Sequence, residues 1–326
     1  MFSNDALTID ATATTANIGA AVREQVTGTL RRRGAVLGLS GGVDSSVVAA
    51  LCALALGPGR VLALLMPERE GSGDTLALGR LVADHFGIAA VEEPVGGILE
   101  TAGCYRRHDE AIRRVFPEFE AGWRFKVTLP SPVHGSRLNV SMLTVELPGG
   151  ETKTARMPLE AYLQLVAAMN FKQRVRKTLE YYHADRLHYA VAGTPNRLEY
   201  DQGFFVKQGD GAADLKPIAH LYKTQVYQLA RHLGVPDDVL RRPPTTDTYS
   251  LPQTQEEFYF GLPYLQMDLC LYGKNHGVPP AEVAAAAHLT VDQVERAYAD
   301  IDQKRRATRY AHLHPLLVEP VPEVTG

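Results

Sequence analysis

The stretch Gly38-Leu39-Ser40-Gly41-Gly42-Val43-Asp44-Ser45-Ser46 sets adjacent glycines, hydroxyls and a carboxylate at the joint between an apolar run and an alanine- and leucine-rich one. Adjacent glycines let the backbone curl until several N–H groups point at one centre, which suits anionic oxygens. A helix starting there adds the partial positive charge of its N-terminus, and Ser40, Ser45 and Ser46 add hydroxyl donors. A carboxylate inside an anion site is repulsive on its own, so Asp44 makes sense as a ligand for Mg²⁺ bridging phosphates. The stretch has neither the Gly-Lys-[Ser/Thr] of a Walker loop nor a GxGxxG spacing. The competing reading is a plain strand-to-helix turn with Asp44 as the helix N-cap.

A second set of polar residues lies far along the chain. Gly209-Asp210-Gly211-Ala212-Ala213-Asp214 puts two carboxylates among small residues, suited to a polar ligand or, failing that, to turn formation and capping. Arg174 and Arg176 are two apart on a predicted helix and cannot share a face, and Arg174 is the one expected to reach a ligand. Read alone, Lys207 and Lys223 are equally compatible with solvated surface charges.

These residues need a scaffold, and the pattern supplies one. Residues 35–39, 61–66, 88–94 and 187–194 read as strands, the first two as continuous apolar runs. Helical stretches alternate with them at 44–56, 75–86 and 159–182. Near-continuous apolar strands between helices predict a Rossmann-like α/β fold: an open parallel sheet covered on both faces. Ligands bind such sheets beyond the carboxyl ends of the strands, so the loops at Ser40 and Thr194 should line one pocket. Residues 100–158 interrupt the alternation with a helical stretch and a hairpin around Pro148-Gly149-Gly150. After Gly273 the chain reads as helical and ends in an extended tail. The expected organisation is a unit over 1–275, with 100–158 inserted, and a helical extension over 276–326.

With 45% apolar and 22% charged residues in 326, the composition is that of a globular protein. A net charge of -3 argues against a broad nucleic-acid footprint. Cys52, Cys104 and Cys270 form no CxxC pair, which fits a reducing compartment. No apolar run is long enough for a membrane span and the N-terminus does not read as a signal peptide, so a cytoplasmic location is expected.

The loop resembles that of the pyrophosphatase-loop ATP enzymes, whose signature is SGGxDS. The stretches 64–69, 170–182, 192–218 and 221–236 resemble the NAD synthetase family throughout. That resemblance implies ATP-dependent conversion of deamido-NAD to NAD with Mg²⁺ and ammonia, through an acyl-adenylate, by a homodimer. It implies Gly38 to Ser46, Thr194, Lys223 and Thr245 at ATP, with Asp44 and Glu199 on Mg²⁺. It puts Asn170, Arg174, Phe205, Lys207, Asp210, Asp214 and Lys304 on deamido-NAD. Lys207 is expected to offset charge on the departing pyrophosphate, and Asp214 or Asp210 to take the proton of ammonium. Too little chain precedes the loop for an amidohydrolase domain, so free ammonia or a separate glutaminase is the expected nitrogen source. The sequence departs from the family in the long 100–158 insertion and in Gln303 ahead of Lys304, where a histidine is usual. Aromatics at Phe258, Tyr259 and Phe260 read either as a platform for a ring or as core. The alternatives are an amide-forming C–N ligase for another carboxylate and, from the helix-turn-helix-like stretch 278–301, nucleic-acid binding.

Overall fold

The computed structural model describes residues 2–71, 73–128, 141–245 and 249–324. After α1 (Ala11–Arg23), which continues as a wider π-helical segment over Glu24–Thr29, the chain alternates. The alternating elements are β1 (Ala35–Gly38), α2 (Val43–Leu56), β2 (Val61–Leu65), α3 (Asp74–His85) and β3 (Ala89–Glu92). The insertion follows with α4 (Gly96–Thr101), α5 (Cys104–Arg113), β4 (Arg124–Thr128), β5 (Met142–Glu146) and β6 (Thr152–Arg156). The long α6 (Leu159–Leu187) leads into β7 (Ala190–Val191) and α7 (Arg197–Gln202). Helices complete the chain: α8 (Lys223–His232), α9 (Asp237–Arg241), α10 (Tyr264–Asn275), α11 (Pro280–Ala287) and α12 (Val291–His312).

The main sheet is parallel, in the order β3-β2-β1-β7. Its central strands are apolar at successive residues because both faces are covered. Ala35, Leu37, Ala63 and Leu65 pack with α1, α2 and α8, whereas Val36, Leu62, Leu64 and Val191 face Ala184 of α6. Helix α2 buries every residue except Asp44 and Leu54, which accounts for its apolar character all round. Cys52 lies inside it as a small core residue, its thiol pushed up to about 12 by burial.

Two strands are shorter or more exposed than their sequences suggest. β3 is an edge strand with largely exposed side chains. The strand expected over 187–194 contracts to two residues for local reasons. His188 caps α6 in the left-handed region, and the Asp214 carboxylate accepts the Val191 N–H at 2.7 Å. Asp214 thereby caps the sheet edge, and Ala192 bridges to Leu215 instead of extending the ladder.

The hairpin expected around Pro148-Gly149-Gly150 is present as β5–β6, and β4 pairs with β5 to make a three-stranded antiparallel sheet. Phe125 and Val127 alternate with charged neighbours in β4, a short period-2 signal missed in the sequence, and pack with Leu143 and Val145 over α5 and the start of α6. Residues 129–140 of the insertion lie outside the described residues. At the other end α10, α11 and α12 share a core with Leu7 and Leu198, and Arg305 of α12 makes two bonds to Asp201 of α7 at 2.6 and 2.7 Å. The basic stretch after the helix-turn-helix-like segment is thus partly consumed in internal ion pairs.

Candidate active site

The loop after β1 is built by its glycines. Gly41 adopts φ 70°, and a Cβ there would fall 2.6 Å from Leu78 Cβ. Gly42 caps α2 with its backbone, and the hydroxyls of Ser45 and Ser46 donate to the Gly42 carbonyl at 3.0 and 2.8 Å. Asp44 is therefore not the N-cap, and its carboxylate reaches away from the helix. Ser40, Asp44 and Ser45 face a cavity of about 640 Å³, while Ser46 is fully buried against Gly42. Gly41, Gly42 and Val43 form the body of the loop; Gly38 and Leu39 contribute wall.

The loop after β7 meets the first at the switch point, and Thr194 lines the same cavity. Asn196 caps α7, and Glu199 closes a capping box by accepting the Asn196 N–H at 3.0 Å. The Asn196 amide also donates to Glu199 Oε2 at 2.9 Å and to Asp44 Oδ1 at 3.2 Å, so one side chain joins two carboxylates from distant segments. Gln255 donates to Glu199 Oε1 at 3.2 Å. Lys223, fully buried at the start of α8, pairs with Asp44 Oδ2. Asp268 accepts the N–H groups of Lys223 and Thr224 at 3.3 and 2.7 Å, fixing that helix start. Burial, then the charge of Asp44, raises the Glu199 carboxyl to about 8 against the opposing pull of Lys223. For Lys223 burial acts downward, but Asp44 and Glu199 hold its ammonium above the usual range.

This pair fits a hard divalent cation. Two carboxylates share a buried site in which the charge of one opposes ionisation of the other, a repulsion that a cation relieves. Among the described residues no group of three or more acidic, histidine or cysteine ligands assembles, so phosphate and water oxygens have to complete such a shell.

Helix α6 supplies the opposite wall. Tyr162, Val166, Asn170, Gln173, Lys177 and Glu180 follow the helical repeat along the cavity. Arg176 lines it as well, whereas Arg174 turns off the stripe and donates to the Lys207 carbonyl at 3.2 Å, reversing the choice made between them. Phe205, Asp210 and Thr245 also line the cavity. Asp210 accepts the Val206 N–H at 2.7 Å, and burial raises its carboxyl. Of the three adjacent aromatics, Phe258 and Tyr259 line the cavity and Phe260 is core. Tyr259 stacks on Phe204 with ring centroids 4.5 Å apart.

Besides Arg174, three expected site residues lie elsewhere. Lys207 donates to the carbonyls of Tyr310 and Leu313 at 2.8 and 3.3 Å, where the end of α12 presents negative partial charge. Asp214 is engaged by Val191 N–H and, at 3.3 Å, by the Tyr181 hydroxyl. Lys304 pairs with Asp300 one turn back and donates to the Tyr259 carbonyl, both at 2.6 Å. Asn196 and Gln255 were not anticipated. The signal for Asn196 was Asn-Arg-Leu-Glu, a capping box; that for Gln255 is visible only in three dimensions.

A parallel sheet with a glycine-rich loop and paired carboxylates at its switch point defines an α/β fold of the adenine nucleotide α-hydrolase-like class. Within that class the chain belongs to the NAD synthase family, whose model matches residues 14–116 and 138–311. It is 60% identical over 311 residues to the NH(3)-dependent NAD(+) synthetase of Mesorhizobium japonicum, covering 95% of this chain and 98% of that one. With the enzyme of the same name from Thermotoga maritima the identity is 37% over 239 residues, 73% of this chain and 79% of the other. Among solved structures, NMN synthetase from Francisella tularensis superposes with a TM-score of 0.63 at 21% identity, covering 96% of this chain and 99% of that one. NH3-dependent NAD synthetase from Campylobacter jejuni gives 0.61 at 20% identity, over 95% and 100%. At those identities the likeness speaks for the fold.

Proposed function

We propose that the cavity performs the ammonia-dependent synthesis of NAD, with the following division of roles. The enzyme is a C–N ligase that uses ATP to join ammonia to the carboxylate of deamido-NAD. ATP lies with its phosphates on the loop from Ser40 to Ser46 and the N-terminus of α2. Asp44 and Glu199 would hold Mg²⁺, which offsets phosphate charge when bound. Lys223, rather than Lys207, stands at that end to balance the anions. Thr194 and Thr245 flank the nucleotide.

The substrate carboxylate attacks the α-phosphorus and displaces pyrophosphate; ammonia then attacks the acyl-adenylate carbonyl and releases AMP. Positioning and electrostatics suffice, with no protein nucleophile. Asn170, Phe205 and the aromatic surfaces of Phe204, Phe258 and Tyr259 receive the acceptor. Asp210 is the better candidate to take a proton from ammonium, since it lines the cavity with its carboxyl held above the usual range, whereas Asp214 is bound into the sheet edge. Arg174, Lys207 and Lys304 serve the acceptor only if they leave their present partners. Ammonia arrives free or from a separate glutaminase.

The observation carrying this reading is the Asn196 amide joining Asp44 to Glu199 at the mouth of the phosphate loop. The resemblance further supports residues 1–275 as the catalytic unit with 276–326 packed on it, a cytoplasmic location and a homodimer, for which exposed Leu159 and Leu163 of α6 offer apolar surface. Among the described residues no helix is long and apolar enough to cross a membrane. Oxygen-18 in the deamido-NAD carboxylate tests the adenylate: one label should pass to AMP, and its appearance in inorganic phosphate instead rejects the scheme.

A further inference from the structure

A charged pair on the cavity wall has no part in the roles assigned above. Lys177 and Glu180 stand one turn apart on α6, nearly buried, and both line the cavity. Lys177 Nζ donates to Glu180 Oε2 at 2.6 Å. Burying two charges costs desolvation that their attraction offsets only in part, and an apolar pair of similar volume often packs as well or better. A wall needing only support has no use for this one.

The other oxygen of Glu180 points to what the pair is for. Among the described residues Oε1 accepts no hydrogen bond. It lies 3.1 Å from where a Cβ on Gly38 would stand, and the methyl of Met66 is equally close to that point. Gly38 thus keeps open a slot between the end of β1, Met66 and α6, with a carboxylate oxygen beside it. The slot adjoins the start of the loop, because Gly38 stands two residues before Ser40. Leu39, Leu64, Met66, Pro67 and Leu76 line the same cavity and give it apolar surface suited to the face of a purine. A nucleotide with its phosphates on the loop therefore brings its nucleoside to Glu180.

We propose that Glu180, positioned by Lys177, accepts a hydrogen bond from the nucleoside of ATP and so sets nucleotide specificity. The donor is an O–H of the ribose or the N–H of the adenine amino group. The proposal rests on the reading of the cavity as the ATP site.

The test compares kcat/KM and binding for ATP, 2′-deoxy-ATP, 3′-deoxy-ATP and purine riboside triphosphate, which lacks the amino group. The enzymes are wild type, Glu180→Gln, and Lys177→Met with Glu180→Leu, the double variant keeping the wall filled without a lone buried charge. Wild type should lose roughly 10- to 100-fold on the analogue lacking the donor, the size of one hydrogen bond to a charged group. Loss with a deoxy analogue assigns the ribose, and loss with purine riboside triphosphate assigns the amine. In the double variant ATP should fall towards that analogue and the ratio should close to within about twofold, with Glu180→Gln between. Equal use of all four nucleotides by wild type, or an unchanged ratio in both variants, overturns the proposal. Discrimination seen in binding without NAD formation keeps this proposal and rejects the assigned activity instead.

Discussion

The two ends of the cavity are built in opposite ways. The phosphate end is assembled from local rules: a glycine turn between β1 and α2, a capping box at α7 and a capped start of α8. The backbone of each motif is set by neighbours a few residues away, and the sheet then brings their charged side chains together, Asp44 with Asn196 and Lys223 and Glu199 with Gln255. The acceptor end is a tertiary construction. The first half of the cavity stripe of α6, from Tyr162 to Gln173, the loop around Phe205 and Asp210, and the segment 249–259 converge on it. That segment hangs on the inserted sheet: Phe125 N–H donates to Ser250 Oγ at 2.9 Å, Leu251 N–H to the Phe125 carbonyl at 3.0 Å, and Gln253 to the Val127 carbonyl at 2.8 Å. The difference teaches that the loop end of the cavity is set by short local motifs, whereas the other end is tied to the inserted sheet.

The largest effects should come from the phosphate end. Asp44→Asn removes one of the two proposed cation ligands and leaves Lys223 buried without its partner, so kcat/KM should fall by about 10³-fold or more, read in initial rates at saturating ammonium. Glu199→Gln should act nearly as strongly and should also change the pH dependence. With its carboxyl held at about 8, Glu199 is mostly protonated at pH 7 in the cation-free chain, and cation binding must expel that proton. Apparent Mg²⁺ affinity should therefore rise with pH to about 8 and then level off, and the slope should vanish in Glu199→Gln. The same shift bears on folding. The folded chain binds a proton here that the unfolded chain releases near 4.5, so the cation-free protein should lose stability between about pH 4.5 and 8. Thermal melts in chelator across that range should show a slope reduced in the variant.

A smaller effect, and a different one, is expected at the acceptor end. Ser250→Ala with Gln253→Leu loosens the 249–259 segment from β4 without touching the phosphate loop. KM for deamido-NAD should rise roughly 3- to 10-fold while KM for ATP stays within about twofold. Equal changes in both constants would show that the two ends are not built independently. Least of all, Lys207→Met should cost about threefold or less in kcat if its ammonium remains on the carbonyls ending α12. A loss of 100-fold would mean that Lys207 swings to the substrate during turnover.

Legibility in the sequence followed the same division. The glycine loop and Asp44 were readable because local chemistry dictates them, Glu199 was named only through the family resemblance, and alternating apolar runs exposed three of the four parallel strands almost to the residue. Helical spacing accounts for part of the α6 wall. Lys177 and Glu180 continue the stripe of Tyr162, Val166, Asn170 and Gln173, but Arg174 follows Asn170 by four residues and Arg176 follows Gln173 by three, so the choice between the arginines is visible only in three dimensions. Lys207, Asp214 and Lys304 could not be placed this way, because what decides them is a carbonyl, a sheet edge or a carboxylate presented by another element. β4 escaped because five alternating residues without a turn signal say little until a partner strand is known. Among the aromatics at 258–260, adjacency could not distinguish the two that line the cavity from the one in the core.

The central claim is that one cavity couples ATP cleavage to amidation of deamido-NAD. The most direct measurement incubates the purified chain with ATP, Mg²⁺, deamido-NAD and ammonium and follows NAD, AMP and pyrophosphate together. Formation of the three in equal amounts, dependent on every reactant and abolished by Asp44→Asn, is the predicted result. AMP release without NAD, or NAD formation undiminished in Asp44→Asn, would contradict it.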